Sequence, residues 1–497
     1  MRISTNMLFT GGVAQIDLLQ SQMVQQQEEI STGTSILVPS DNPVAAAQAL
    51  VIGQTQANNT QYIANGQTAQ SSLSIEDSTL SSVTQLLTNA QTSIVDAGNG
   101  SYTLQQRQAI ATSLQGSYNQ LLALANSKDG NGNYLFGGYQ STSQPFSPTT
   151  TGAQYNGNQG QTILQVGVSQ QMAINDSGDS VFQNNATGNG TFTTSAATTN
   201  AGSGIISTGS VVNTTALTGD TYSIAFSGIQ TSANAGNTGS GTISAGQYAT
   251  NGATPTNDTF NINFSNASGV TTYSVVNSTT GNTVASNINY VPGQQISVGG
   301  SQVAISGNPA NGDQFTVVDS PTTYTVTDTS VPPSASAAPP VGPQAYVQGQ
   351  TIEFDGLEFN VTGSPANGDT FNIAPSTKQS IFTTLTNLIN LLNTPTGTGV
   401  AGVTNLTNGL NTANNDLSST LNNILTVRSS IGARLNEVSS LGTEGQNLNA
   451  QYTTTLSNLQ DTNDAQAISQ YSQLQTTLSA ALQTFSQVSK LSLFNYL

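Results

Sequence analysis

Residues 9–33, FTGGVAQIDLLQSQMVQQQEEISTG, place apolar side chains at Phe9, Val13, Ile16, Leu19, Met23 and Ile30, separated by three, four or seven positions. That spacing aligns them on one stripe of an amphipathic helix, which Gly33 is placed to end. The far end of the chain matches it. In residues 471–488, YSQLQTTLSAALQTFSQV, the series Tyr471, Leu474, Leu478, Ala481, Phe485 and Val488 alternates three and four, the spacing of a coiled-coil seam, and Leu493 and Phe494 extend the apolar set. Neither stripe has a large body of adjacent sequence to bury it, so the simplest arrangement pairs the two ends with each other and with neighbouring copies. The polar residues around Met23 are mostly Gln. Ion pairs therefore cannot set the register, and the association is expected to be apolar and weakly salt-dependent.

Moving inward, Pro39-Ser40-Asp41-Asn42-Pro43 reads as a turn with Asn42 or Asp41 as N-cap and Pro43 at the first helical position. The helix from Pro43 is expected to continue through Leu73, Leu80, Val83, Leu87 and Ile94 until Asp96-Ala97-Gly98-Asn99-Gly100 breaks the pattern. Ile110, Leu114, Tyr118, Leu121 and Leu124 mark a further helix, antiparallel to the last if the break is a tight turn. In the C-terminal part, Ser380 caps a helix through Ile381, Leu385, Leu388 and Leu392, and a longer one runs from Leu410 to Val438. These inner stripes are read as an ordinary helical core.

Between the helical parts the period changes to alternation, as in Thr162-Ile163-Leu164-Gln165-Val166-Gly167-Val168. An internal repeat stands here: residues 290–317, YVPGQQISVGGSQVAISGNPANGDQFTV, align without a gap with residues 346–373, YVQGQTIEFDGLEFNVTGSPANGDTFNI. Echoes at Gly219–Ile224 and Asn257–Ile262 suggest a reused hairpin unit. Residues from about Asn184 to Ser210 read as a flexible loop or linker, and Ser334 to Pro343 as the linker between the two full copies. The fold class is thus α+β and multidomain: long terminal helices forming an antiparallel bundle or coiled coil, around a central all-β insertion with repeated hairpin cassettes. The expected divisions are a helical half at 1–135, a β-rich region at 136–377 and a second helical half at 378–497, in keeping with a length of 497 residues.

Composition excludes much. The chain has no Cys and no His, which removes disulfides, thiolate metal sites and the usual general base. Its net charge of -17 argues against nucleic acid and against a basic membrane-surface helix, and all seven cations avoid the stretch from Asp129 to Thr377. No stretch approaches the ~20 apolar residues of a membrane span, and Met1 to Ile16 lacks the apolar core of a cleaved signal peptide. Asp129-Gly130-Asn131-Gly132-Asn133 lacks the turn glycine and closing acid of a calcium loop, and reads as a turn. Asn311-Gly312-Asp313 and Asn367-Gly368-Asp369 read as hairpin turns. Glu353, Asp355 and Glu358 offer paired carboxylates, the first two on one face of a strand, but nothing else supports a glycosidase. No catalytic, cofactor or metal residue is assigned, and the chain is not expected to be an enzyme.

Several motifs carry a family resemblance. Met1-Arg2-Ile3-Ser4-Thr5, Ser31-Thr32-Gly33 and Pro39-Ser40-Asp41-Asn42-Pro43-Val44-Ala45-Ala46 stand in the N-terminal half, with Tyr134-Leu135-Phe136-Gly137-Gly138-Tyr139 after them. Ile431-Gly432-Ala433-Arg434-Leu435-Asn436, Asp461-Thr462-Asn463-Asp464-Ala465 and Ser492-Leu493-Phe494-Asn495-Tyr496-Leu497 stand in the C-terminal half. Together, and in this order, they resemble the hook-filament junction proteins of the flagellin family. The resemblance implies terminal helices packed in the wall of an axial tube, a β insertion projecting outward, and export through the flagellar type III channel without a cleaved signal. It also implies a set of partners: the first hook-associated protein, flagellin, copies of the chain itself in a ring, and an export chaperone. Flagellin shares this plan, but the opening and closing motifs favour the junction proteins. An adhesin or carbohydrate-binding surface protein would instead make the β cassettes the working part.

Overall fold

The computed structural model describes residues 5–248, 254–267, 269–330, 342–396 and 399–490. The opening Met1 to Ser4, Leu493 and Phe494 with the rest of the closing motif, and the linker from Ser334 to Val341 lie outside the described residues. The chain divides into two compact units, one made of 1–72, 163–174 and 433–497, the other of 73–162 and 175–432.

In the first unit, α1 (Thr5–Thr32) ends at Gly33, whose φ of +70° is open to glycine and strained for most other residues. The following turn is tied by Asp41, whose Oδ2 accepts from the N–H groups of Leu37 (3.0 Å) and Val38 (2.9 Å). Asn42 Oδ1 accepts from Ala45 N (3.1 Å), which makes Asn42 the cap of α2 (Pro43–Ala97). The first turns of α2 run antiparallel to the last part of α5 (Val400–Gln460): Gln56 Nε2 donates to Thr453 Oγ1 (2.9 Å) and Asn59 Nδ2 to Gly445 O (2.7 Å). A Cβ at Gly445 would lie 2.8 Å from Ile63 Cγ1, so the glycine permits this close approach. A hairpin of β3 (Ile163–Gln165) and β4 (Gln171–Ala173) is held by Asn65 Nδ2 on Gln165 O (2.8 Å) and Arg434 Nη1 on Ala173 O (3.0 Å). The last helix, α6 (Asp464–Lys490), follows a break at Asp461–Asn463.

The second unit begins with a helical core. Leu73, Leu80, Leu87 and Ile94 of α2 are buried, as are Leu410, Leu417, Ile424 and Ile431 of α5, each set repeating every seven residues. α5 starts ten residues before the helix expected from Leu410 and runs well past Val438. Its outlying turns are rich in Asn, Thr and Gly, which dilutes the apolar signal. α3 (Leu104–Ala125) opens with a capping box between Thr103 and Gln106, and α4 (Ile381–Asn393) is capped by Ser380. β1 (Phe146–Thr149) and β2 (Gly152–Tyr155) form a hairpin beside them. There Phe146 packs between Phe182 and Phe382, with ring centroids 5.4 and 5.3 Å away.

The remaining strands, in chain order, form two sandwiches, apart from the first and the last, which pair with each other in a separate two-stranded sheet. β5 (Asn185–Ala186) leads into β6 (Phe192–Ala196), β7 (Ile205–Ile206), β8 (Ser210–Val211) and β9 (Tyr222–Ser227). Then come β10 (Gln230–Ala233), β11 (Thr242–Ile243), β12 (Gln247–Tyr248), β13 (Thr259–Ala267), β14 (Val270–Asn277), β15 (Thr283–Asn289), β16 (Gln295–Val298), β17 (Ser301–Ser306) and β18 (Gln314–Val318). The chain returns with β19 (Thr323–Asp328), β20 (Gln344–Ala345), β21 (Thr351–Phe354), β22 (Leu357–Thr362), β23 (Thr370–Pro375) and β24 (Lys378–Gln379).

One five-stranded sheet is ordered β20-β19-β9-β23-β6, and the other, β15-β14-β13-β18-β10, repeats it strand for strand. Each is paired with a four-stranded sheet, centred on β22 in the first sandwich and on β17 in the second. The cores correspond as well: Phe226, Tyr346 and Phe371 pack edge-to-face in one, Phe264, Tyr290 and Phe315 in the other.

The second sandwich is therefore a copy nested inside the first, between β9 and β19. Its ends meet, because a Cβ on Gly228 would lie 2.8 Å from Thr322 Oγ1. β9 and β19 pair with Ser227 opposite Thr323, as β13 and β14 pair in an ordinary hairpin closed at Ala267 and Val270.

The segment Asn184–Ser210, expected to be a flexible loop or linker, instead supplies β5, β6 and β7, with Phe192 and Ile206 buried in the first core. Its small polar residues belong to short strands whose backbone is satisfied by side chains, such as Thr194 Oγ1 on Ser207 O (2.9 Å).

Candidate assembly interface

The two terminal helices meet within the first unit. α1 and α6 run antiparallel, and the chain segments flanking them are tied across 425 positions: Ser35 N and Oγ both donate to Gln460 O, at 2.6 and 3.1 Å. Thr462 N donates to Gly33 O (2.9 Å), and Asn463 Oδ1 accepts from Gln466 N (3.2 Å) to start α6. Asp464 in the first turn of α6 favours that helix end electrostatically.

From this hinge the apolar stripes face each other. Ile16, Leu19 and Leu478 are buried, with Met23, Leu474, Ala481 and Phe485 packed against them. At the other end Phe9 lies on Phe485, centroids 5.0 Å apart. Gly12 makes room for that ring, since a Cβ there would be 2.9 Å from Phe485 Cδ2. Ile30 and Tyr471 are half-buried. Phe9 remains 49% exposed, Val13 36% and Val488 44%, so the pair does not finish burying its own stripe.

Further apolar side chains, missed by the stripe reading, also stand in solvent: Met7, Leu18 and Val24 on α1, Ile468 and Leu482 on α6. The doublets Leu18-Leu19 and Met23-Val24 were the available signal, because neighbouring positions on a helix cannot share one face. The groove beside the seam, about 400 Å³, is lined by Gln22, Gln25, Gln26, Gln470 and Gln473 with Glu29. Glutamine amides there offer hydrogen bonds without charge.

The acidic candidates lie elsewhere. Asp355 is not on a strand face beside Glu353: it occupies the turn between β21 and β22 with φ +45°, and accepts from Tyr222 Oη at 2.7 Å. Burial, with the nearby carboxylates, pushes the Tyr222 phenol well above its ordinary pKa. Asp129 Oδ1 accepts from the N–H groups of Asn131 (2.8 Å) and Asn133 (2.9 Å), a turn closed on its own backbone. Both Asn-Gly-Asp segments are turns in which the aspartate is buried. Asp313 accepts from the backbone N–H groups of Ala310, Thr238 and Gly239, and Asp369 from those of Ala366, Ala201 and Gly202. Burial pushes the Asp313 carboxyl up, but its three backbone donors outweigh burial and hold it below the ordinary carboxylate value. Among the described residues no three acidic side chains are grouped to hold a metal, and no helix is long and apolar enough to cross a membrane.

Comparison with known proteins agrees with this architecture. Residues 3–141 match the bacterial flagellin N-terminal helical region. Over 182 residues, 37% of this chain, the sequence is 41% identical to flagellar hook-associated protein 3 of Salmonella typhimurium, and equally to the protein of that name from Escherichia coli. The chain spans 57% of the length of each of these relatives. The crystal structure of the flagellar junction protein FlgL from Legionella pneumophila superposes with a TM-score of 0.56 at 27% identity, covering 83% of this chain and 100% of that one. The chain is thus similar to hook-associated protein 3 in sequence and in fold, with long terminal helices around a β-rich centre.

Proposed function

We propose that this chain is a structural subunit of the bacterial flagellum, joining the hook to the flagellin filament through its terminal helices. The observation that carries the reading is the antiparallel α1–α6 pair, which leaves apolar residues exposed on both helices. Three buried side chains at about 1.5–3 kcal/mol each make a thin core for two helices of this length. Neighbouring copies in a ring would complete the burial, using Phe9, Val13, Ile16, Leu19, Met23 and Ile30 of α1. On α6 the same role falls to Tyr471, Leu474, Leu478, Phe485 and Val488, with Leu493 and Phe494 beyond it.

On this reading residues 1–135 and 378–497 are the two halves of an axial core, and 136–377 the region facing outward. The partners are the first hook-associated protein on one axial face and flagellin on the other, with an export chaperone beforehand. The role is mechanical and requires no catalysis. The names of the relatives, a hook-associated protein and a junction protein, support the assignment. The test is a chain lacking residues 471–497. It should retain folded sandwiches yet fail to hold a filament on the hook, and normal filament attachment would refute the helix-packing role.

A further inference from the structure

The two sandwiches are alike but not equally covered. In the first, the edge around β7 lies against α5. The Asn408 side chain donates to Gly204 O (2.9 Å) and accepts from Ile206 N (3.1 Å), while Asn405 Nδ2 donates to Thr198 O (3.2 Å) and Asn200 O (3.3 Å). A primary amide that gives one hydrogen bond and takes another, two residues along a strand, reproduces the pairing of a neighbouring strand. α5 thus closes a sheet edge with asparagines.

The second sandwich carries the same edge. Residues 237–244, NTGSGTIS, align with 200–207, NAGSGIIS. Their internal bonds coincide: Ser244 N donates to Ala304 O (2.8 Å) as Ser207 N does to Asn360 O (2.9 Å), and Ser240 N to Asn308 O (3.0 Å) as Ser203 N does to Ser364 O (2.9 Å). Yet Gly204 and Ile206 are buried, whereas their counterparts Gly241 and Ile243 are half-exposed and Thr242 is exposed. No side chain of the described residues bonds Gly241 O or Ile243 N. Among the described residues, the helix that covers this edge in the first copy has no equivalent on the second.

The covering helix has a readable pattern. Asn405-Leu406-Thr407-Asn408 turns Leu406 into the helical core and sends an amide out on either side. α4 repeats it as Asn387-Leu388-Ile389-Asn390, with Leu388 1% exposed and both asparagines in solvent. We propose that the open edge of the second sandwich receives α4 of a second copy of the chain. Asn390 takes there, towards Gly241 O and Ile243 N, the part that Asn408 takes on the first sandwich, and Asn387, towards Asn237 O, takes that of Asn405. Two neutral amides are too few to hold free monomers together, so the contact forms where a ring raises the local concentration. The inference therefore rests on the ring-forming reading above.

The absence of native cysteine gives a clean test. Full-length chains carrying Thr242→Cys and Asn390→Cys together replace the native chain in cells, and isolated flagella are oxidised. A disulfide requires Cα atoms within about 7 Å. The expected result is a ladder of covalent multimers, where either single substitution gives no more than dimers. Incorporation of the double variant into flagella with only monomers after oxidation overturns the docking contact and leaves the ring reading intact. If the double variant does not enter flagella, Thr242→Cys chains and Asn390→Cys chains produced together supply the same pair with one substitution each. A covalent dimer containing both chains is then expected, and its absence from incorporated material overturns the proposal.

Discussion

Phe9 and Phe485, near opposite ends of the chain, lie with ring centroids 5.0 Å apart and planes inclined by 44°. The contact joins the first helix to the last and leaves Phe9 half-exposed, so the same ring serves the pair and is open to a neighbour. Its geometry depends on Gly12, the residue one turn from Phe9 on the side facing Phe485.

Gly12→Leu should therefore push the Phe485 ring aside and loosen the end of the α1–α6 pair distant from the hinge. Hydrogen exchange should speed up around residues 9–16 and 481–488 while protection at Ser35 and Thr462, beside the hinge, persists. Unchanged exchange at the Phe9 end would mean that the aromatic contact does not hold the helices.

Leu478→Ala removes one of the three buried residues of the seam and should cost about 2–4 kcal/mol locally. Circular dichroism should show partial loss of helix at temperatures where both sandwiches remain folded. Concerted melting of the whole chain would contradict a separately marginal pair.

Assembly through the terminal helices should depend weakly on salt, because the seam is apolar and its groove is lined mainly by glutamine. Raising the salt to several hundred millimolar should leave attachment of isolated hook-filament structures unchanged. A steep loss would point to ionic contacts that the described residues of the pair do not display.

Asp313→Asn replaces an oxygen that accepts backbone bonds with an N–H₂ group facing donors. It should destabilise the second sandwich by about 2–4 kcal/mol and leave the first intact. The lowered carboxyl pKa fixes the sign of the pH dependence: the ionised Asp313 contributes stability above its unfolded value of 3.8, and this is lost as pH falls through the lower folded value. Thermal melts of the native chain should thus lose stability in the second sandwich below about pH 4, with that component absent in the variant. A pH profile shared by both proteins would remove Asp313 as its source.

Removing residues 229–321 brings Gly228 next to Thr322 and leaves Ser227-Gly228-Thr322-Thr323 as a two-residue hairpin turn, with Gly at the first central position as a type II′ turn requires. The shortened chain should keep the first sandwich folded and lose one β melting transition. Loss of both transitions would show that the nested copy is needed for its host.

Much of this plan was legible because its signals are local. The stripes of α1 and α6, the Asn42 and Ser380 caps and the Gly33 stop each follow from a few neighbouring residues. The repeat starting at Tyr290 and Tyr346 was equally plain, and each tyrosine donates to two carbonyls of its own copy: Ile305 and Gly307 for Tyr290, Val361 and Gly363 for Tyr346. Nesting was not legible, since pairing of Ser227 with Thr323 is set across an entire inserted sandwich. Nor were β7 and β11, two residues each, too short to show alternation. Asp355 escaped because the turn it occupies is fixed by the Gly356 that follows and by the Tyr222 hydroxyl, which belongs to another strand.

The most direct test of the adaptor role is to label isolated flagella with an antibody against the central β region and to locate the label by electron microscopy. The account predicts a narrow band between hook and filament. Label along the whole filament would make the chain a filament subunit, and label confined to other parts of the cell surface would contradict a flagellar role altogether.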